Sequence, residues 1–198
     1  MADDVDGTLN FKGATVTNVY GYLQSNGFDH PETAYLDEIS DGQARAIISN
    51  QFNSGIFCVS YFGHGAIGQW AASTKNLFNS SNSVPGLTNT VYPVVTVLTC
   101  ENGDFDEPSR ECLAEALMEK RGGGSSASIA AASLSIEGAA EQFANGFYEA
   151  LVNTNSYHRL GDVMNAGFLK LWTVSPGSDE LLFYTLFGDP GQIVNPSP

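Results

Sequence analysis

Two short, almost unbroken apolar runs stand out along this chain: Ile56 to Phe62 (IFCVSYF) and Val94 to Leu98 (VVTVL). Both are built largely from β-branched and aromatic residues, and both are followed by a polar, glycine-containing turn. Gly63-His64-Gly65 follows the first, and Cys100-Glu101-Asn102-Gly103-Asp104 follows the second. Apolar runs of this length, bounded by turn signals, predict fully buried strands of a parallel sheet. Thr33 to Leu36 (TAYL) predicts a short strand, and Ser125 to Ser133 a strand of very small residues that suits close packing or an open pocket wall. Leu181 to Leu186 (LLFYTL) predicts the last strand, with Gly188-Asp189-Pro190-Gly191 as a turn behind it.

Between these runs the apolar spacing changes to that of helices. Val16, Val19, Tyr20 and Leu23 share one helical face, and Gly27 suits the end of that helix. Ser40 with Gln43 three residues on is a capping box for a helix over Asp41 to Phe52, which Gly55 stops. A helix is predicted from Pro108 to Arg121, with Leu113, Ala116 and Leu117 on one side and Gly122-Gly123-Gly124 as its end. Two more amphipathic helices, Ala139 to Asn153 and Leu160 to Trp172, are separated by Asn155-Ser156. Gly68 to Pro93, rich in Ser and Asn, reads as loop. The alternation of strands and helices predicts an α/β fold with a mostly parallel sheet covered on both faces.

A chain of 198 residues with 42% apolar content can bury one core of ordinary size, so a single domain over 1–198 is expected. No apolar run reaches the eighteen or so residues that a membrane span requires. The start, MADDVDG, has neither the basic nor the apolar region of a signal peptide. It reads as an acidic loop without the strand that should lead into it, so the chain is expected to begin at or inside its first strand, as a fragment of a longer precursor. A net charge of −14 with no basic stripe argues against nucleic acid as a partner, and it opposes docking on anionic membranes.

Candidate chemistry sits at the strand ends. In open α/β sheets functional residues gather just past the carboxyl ends of parallel strands. His64 and Cys100 both occupy such positions. If their strands are neighbours, imidazole and thiol share one rim, which is what a cysteine nucleophile needs, since a thiol near its free pKa is mostly protonated at neutral pH. The glycines beside His64 leave backbone N–H groups open to an oxyanion. The bland alternative is a buried small hydrophobe and an ordinary Gly-His-Gly turn. Cys58, inside a strand, and Cys112, opening a helix, read as structural thiols; three cysteines with no metal-ligand spacing argue against both a disulfide framework and a zinc site. Asp3, Asp4 and Asp6, or the Asp104/Asp106 turn, could hold a structural calcium ion, against the simpler reading of solvated acidic loops.

These motifs carry a family resemblance. GHG after an apolar strand, then Cys100 to Phe105 (CENGDF) after the next, then the helix Cys112 to Lys120 (CLAEALMEK) and the closing FYTLFGDPGQIV, resemble the gingipain-like cysteine peptidases, peptidase family C25 of clan CD. The resemblance runs from about Gly55 to Val194. It implies a caspase-like three-layer α/β/α sandwich and a cysteine endopeptidase acting on peptide or protein substrates, secreted or at the cell surface, with no cofactor required for the chemistry. It assigns Cys100 as nucleophile, His64 as general base and acid, and the N–H groups of Gly65 and Cys100 as the oxyanion hole. It also places Trp70 as a lining of the substrate pocket, against the plain alternative of an aromatic plugging the loop, and implies a carboxylate that receives an Arg or Lys side chain. The segment Asp6 to Val16 departs from the family pattern, so Asp3, Asp4 and Asp6 are candidates for that carboxylate only by their place near the rim, and Ser133 is a candidate wall because its strand is built of small residues. No third residue orienting the histidine is visible. A catalytically silent binding or scaffold domain of the same fold, and a transpeptidase or ligase using the same pair, remain as alternatives.

Overall fold

The computed structural model describes residues 1–28, 31–72, 74–75, 77–153 and 158–194. Its centre is a four-stranded sheet made of β1 (Cys58–Phe62), β2 (Val94–Leu98), β3 (Ala127–Ala131) and β4 (Tyr184–Gly188), adjacent in that order. β1–β2 and β2–β3 are parallel, and β3–β4 is antiparallel. All four run buried or half-buried up to Gly188, which is exposed. Outside β1 the first residues extend the sheet, because Ala2 bridges in parallel to both Phe62 and Tyr35.

Alternate side chains feed two cores, one on each face. Val94, Leu98, Ala127, Ile129 and Ala131 point to the face that carries Phe143, Phe147 and Leu151. Val59, Tyr61, Val95, Val97 and Ala130 point to the other face, with Ile48, Phe52, Leu113 and Leu117. A period of two along strands buried on both faces requires apolar residues at every position, which is why these strands read as continuous runs.

Helices cover both faces. The first, α1, is Phe11–Thr15 continued through a π-helical turn, Val16–Tyr20, into Gly21–Ser25. It packs with α4 (Glu137–Val152) and α5 (Leu160–Val174) on one side. On the opposite side lie α2 (Asp41–Ser54), started by the Ser40/Gln43 capping box and ended by Gly55 at φ +87°, and α3 (Leu113–Glu119). The result is the three-layer α/β/α sandwich with a mostly parallel sheet that the pattern implies.

Four expectations need correction. The helix expected from Pro108 covers only Leu113–Glu119, because residues 100–112 are held instead as a loop around the end of β2. Asn102 anchors that loop from its middle: it is fully buried, and its carbonyl accepts the Ala114 N–H. The last strand begins at Tyr184, since Glu180–Phe183 forms a helical turn. Thr33 to Leu36 contributes a single bridge at Tyr35 in place of a strand. The loop region 68–93 contains two short strands, Gln69–Trp70 and Phe78–Asn79, which form a small antiparallel sheet with Gly65–Ala66. Asn155-Ser156, expected as a helix separator, lies outside the described residues.

Candidate active site

Parallel pairing of β1 with β2 runs in register from Cys58↔Val94 to Phe62↔Leu98. His64 and Cys100 each lie two residues beyond the last pair, so both are delivered to one rim. They line a common cavity of about 290 Å³ with Leu9, Phe11, Ile136 and Ala140. A larger apolar cavity of about 360 Å³, lined by Cys58, Tyr35 and Phe52 among others, involves neither His64 nor Cys100.

Backbone geometry fixes the cysteine loop. Glu101, directly after Cys100, adopts φ +60°, a conformation a non-glycine residue takes at some cost and one that is concentrated at functional turns. The turn is over-determined: Glu101 N–H donates to Ser133 O at 3.1 Å, and Gly103 N–H donates to Ala131 O at 2.9 Å. Gly103 must be glycine, since a Cβ there would sit 2.8 Å from Ala130 O. The Asn102 amide donates to the carbonyls of Gln69, at 3.0 Å, and Ala66. This ties the cysteine loop to the short sheet that continues from Gly65. Gly65 itself presses on Thr99, where a Cβ would overlap the Thr99 side chain.

The thiol of Cys100 is half-buried and held by the backbone of Ser135. Ser135 N–H donates to Sγ at 3.4 Å, and Sγ–H donates to Ser135 O at 3.6 Å. The loop carrying Ser135 is secured in turn. Ser135 Oγ lies 3.1 Å from Tyr184 Oη, and Ile136 N–H donates to the buried Glu180 carboxylate. Ser135 was missed in the sequence because it lies four residues past β3, in a loop with no motif of its own. The one available signal was that β3 is the third strand ending on the same rim.

His64 is held from several sides. Its Nε2 lies 3.0 Å from Asp6 Oδ2, its ring meets Phe11 edge-on at 5.2 Å, and its backbone N–H donates to Asp3 Oδ2 at 3.2 Å. Its carbonyl accepts from Tyr61 Oη and from Ala71 N–H, both at 2.8 Å. Asp3 is buried and also bonds Lys75 Nζ at 3.0 Å, while Asp4 pairs with the same ammonium. Hydrogen bonding to Lys75 holds the Asp4 carboxyl below its ordinary range. The Lys75 ammonium is raised: burial pulls it down, and the bonds to Asp4 and Asp3 outweigh that.

The three acids offered for a cationic substrate side chain are thus engaged within the chain: Asp3 and Asp4 with Lys75, and Asp6 with His64. Trp70 lies outside the cavity shared by His64 and Cys100. It is fully buried, stacked on Tyr61 at 4.9 Å and on Phe78 at 4.7 Å, because its hairpin folds back over α2. Ser133 acts through its carbonyl on Glu101, and Ser135 takes the place beside the cavity. Among the described residues, no group of three or more His, Cys, Asp or Glu gathers closely enough to hold a metal. Asp104 and Asp106 do meet, and their hydrogen bond raises the Asp104 carboxyl. Cys58 and Cys112 occupy the structural positions expected of them, and burial pushes their thiols up to about 11 and about 12.

The peptidase family C25 model matches residues 2–192. The chain belongs to peptidase family C25. Its fold is shared with solved proteases: it resembles the Arg-specific cysteine proteinase gingipain R at TM-score 0.80 and 24% identity. It also resembles the complex of the pro- and mature domains of RgpB from Porphyromonas gingivalis, at TM-score 0.81 and 23% identity. A further solved protease superposes at TM-score 0.76 with 17% identity. Each alignment covers 98% of this C25 chain but only 47% or 48% of the other, so the chain spans about half the length of those structures. A search of curated proteins gave no match.

Proposed function

We propose that this C25 chain carries the catalytic pair of a cysteine endopeptidase, with Cys100 as nucleophile and His64 as general base and acid. One observation supports this above the others: the parallel register of β1 and β2 opens His64 and Cys100 onto one cavity. In this reading Asp6 accepts the Nε2 proton of His64. That fixes the tautomer and leaves the lone pair on Nδ1 to take the thiol proton, the role a carboxylate plays behind a catalytic histidine.

The thiolate attacks the scissile carbonyl carbon to form a C–S bond, and the oxyanion is met by N–H groups of Gly65 and Cys100. The C–N bond then breaks as His64 returns its proton to the leaving amine. Water, deprotonated by the same imidazole, hydrolyses the thioester and regenerates the thiol. Ser135 keeps the sulfur in place, and Asn102 keeps the Gly65 segment against the cysteine loop. The substrates are peptides or proteins. Secretion or surface display follows from family likeness.

The test is covalent labelling with a peptidyl acyloxymethyl ketone, read by intact mass and peptide mapping. Modification confined to Cys100, and lost in His64→Ala at neutral pH, is the expected result. Labelling elsewhere, or turnover that survives Cys100→Ala, rejects the assignment.

A further inference from the structure

We infer that the cavity shared by Cys100 and His64 receives an apolar side chain, so that the site cleaves after a residue such as Leu, Met or Phe; this rests on the cysteine-peptidase reading above. In the acyl-enzyme the sulfur is bonded to the carbonyl carbon of the residue before the scissile bond. The side chain of that residue starts one carbon away and must enter space beside Sγ. The cavity of about 290 Å³ is that space. It is large enough for a leucine or phenylalanine side chain.

The walls decide the chemistry. Leu9, Phe11, Leu98, Ile136 and Ala140 supply hydrocarbon, and among the described residues Glu137 is the one acid lining the cavity. Glu137 is already in use, since its Oε1 accepts the Asn10 N–H at 3.1 Å. A guanidinium or ammonium entering this space would lose its water against apolar walls, with one occupied carboxylate to offset the loss. Of the acids offered for a cationic side chain, Asp3 and Asp4 are engaged with Lys75 and Asp6 with His64. An apolar side chain pays no such cost and gains by leaving water.

A second observation points the same way. The loop that holds the thiol is apolar on its exposed side, with Leu134 at 65% and Ile136 at 70% exposure on either side of Ser135. Large apolar side chains so exposed beside a cavity mark a binding surface for an apolar partner. The substrate backbone laid along this loop would cover them.

The experiment separates this inference from the catalytic reading by measuring binding without chemistry. Fluorescein-labelled product peptides ending in Leu, Phe, Arg or Lys are titrated into the Cys100→Ala protein and followed by anisotropy. The Leu and Phe peptides should bind about tenfold or more tighter than the Arg and Lys peptides. Ile136→Asp, at an exposed rim position that the fold tolerates, should shrink that ratio severalfold. Ala140→Leu should weaken Phe more than Leu. Arg or Lys binding as tightly as Leu, an unchanged ratio in Ile136→Asp, or no binding of any of the four overturns the inference. The catalytic reading fails separately, if the wild-type protein binds the apolar peptides yet neither cleaves the matching substrates nor is labelled at Cys100.

Discussion

His64 Nε2 stands 3.0 Å from Asp6 Oδ2, so a residue of the acidic opening segment bonds the imidazole that the end of β1 presents. The pair is half-exposed, with side-chain exposures of 41% and 66%, so its direct contribution to stability is small. Its value lies in orientation. Asp6→Asn should leave the melting temperature within about 1–2 °C of wild type and lower kcat by about ten- to a hundredfold, with KM little changed. Steady-state kinetics over pH 5–9 give the answer, and a kcat equal to wild type would remove Asp6 from the site.

Cys100→Ala should abolish turnover, and His64→Ala should lower kcat by about three orders of magnitude or more. Cys58→Ala and Cys112→Ala should keep the activity of the folded protein and cost about 1–3 kcal/mol of stability. Denaturant melts alongside initial rates separate the two classes of effect.

Lys75 is the partner of a buried carboxylate, since Asp3 is only 1% exposed. Lys75→Met strands that charge, and breaking such a pair costs about 3–5 kcal/mol. Asp3 also holds the His64 backbone N–H, so activity should fall in the protein that remains folded. Asp3→Asn with Lys75→Met should recover part of the stability. A Lys75→Met protein that melts like wild type contradicts the ion pair.

The alkaline limb of stability follows from the buried thiols. Burial raises Cys58 from an ordinary value of 9.0 to about 11, and Cys112 to about 12. Between pH 9 and these values the unfolded thiols release protons that the folded ones retain. The unfolded state then binds fewer protons, and stability falls as pH rises, at up to about 1.4 kcal/mol per pH unit for each thiol. Below pH 9 the contribution is fully present. Cys58→Ala should flatten this limb between about pH 9 and 11 in chemical-denaturation curves. The same shifts predict that iodoacetamide at pH 8 modifies Cys100 well before Cys58 or Cys112 in the native protein.

Much of this architecture is local chemistry and could be read from the chain. Residues 58–62 of the first apolar run and the whole of 94–98 are strands because β-branched and aromatic residues bounded by turn signals have few other ways to be buried. Ser40, Gln43 and Gly55 fix the ends of α2 through hydrogen bonds and a left-handed backbone that need no distant partner. His64 and Cys100 were visible because they interrupt such runs at a strand end, and the motif neighbours of each carry the family. Other features depend on contacts between segments far apart in the chain, which no window of sequence contains. Trp70 becomes core because Tyr61 and Phe78 close on it, Ser135 reaches the thiol because β3 ends on the same rim, and Asp3 and Asp4 share one lysine, 72 residues from Asp3. The same holds for the cavity: Leu9, Phe11, Ile136 and Ala140 meet only when α1 and α4 pack on one face of the sheet, and that packing sets what the site can accept.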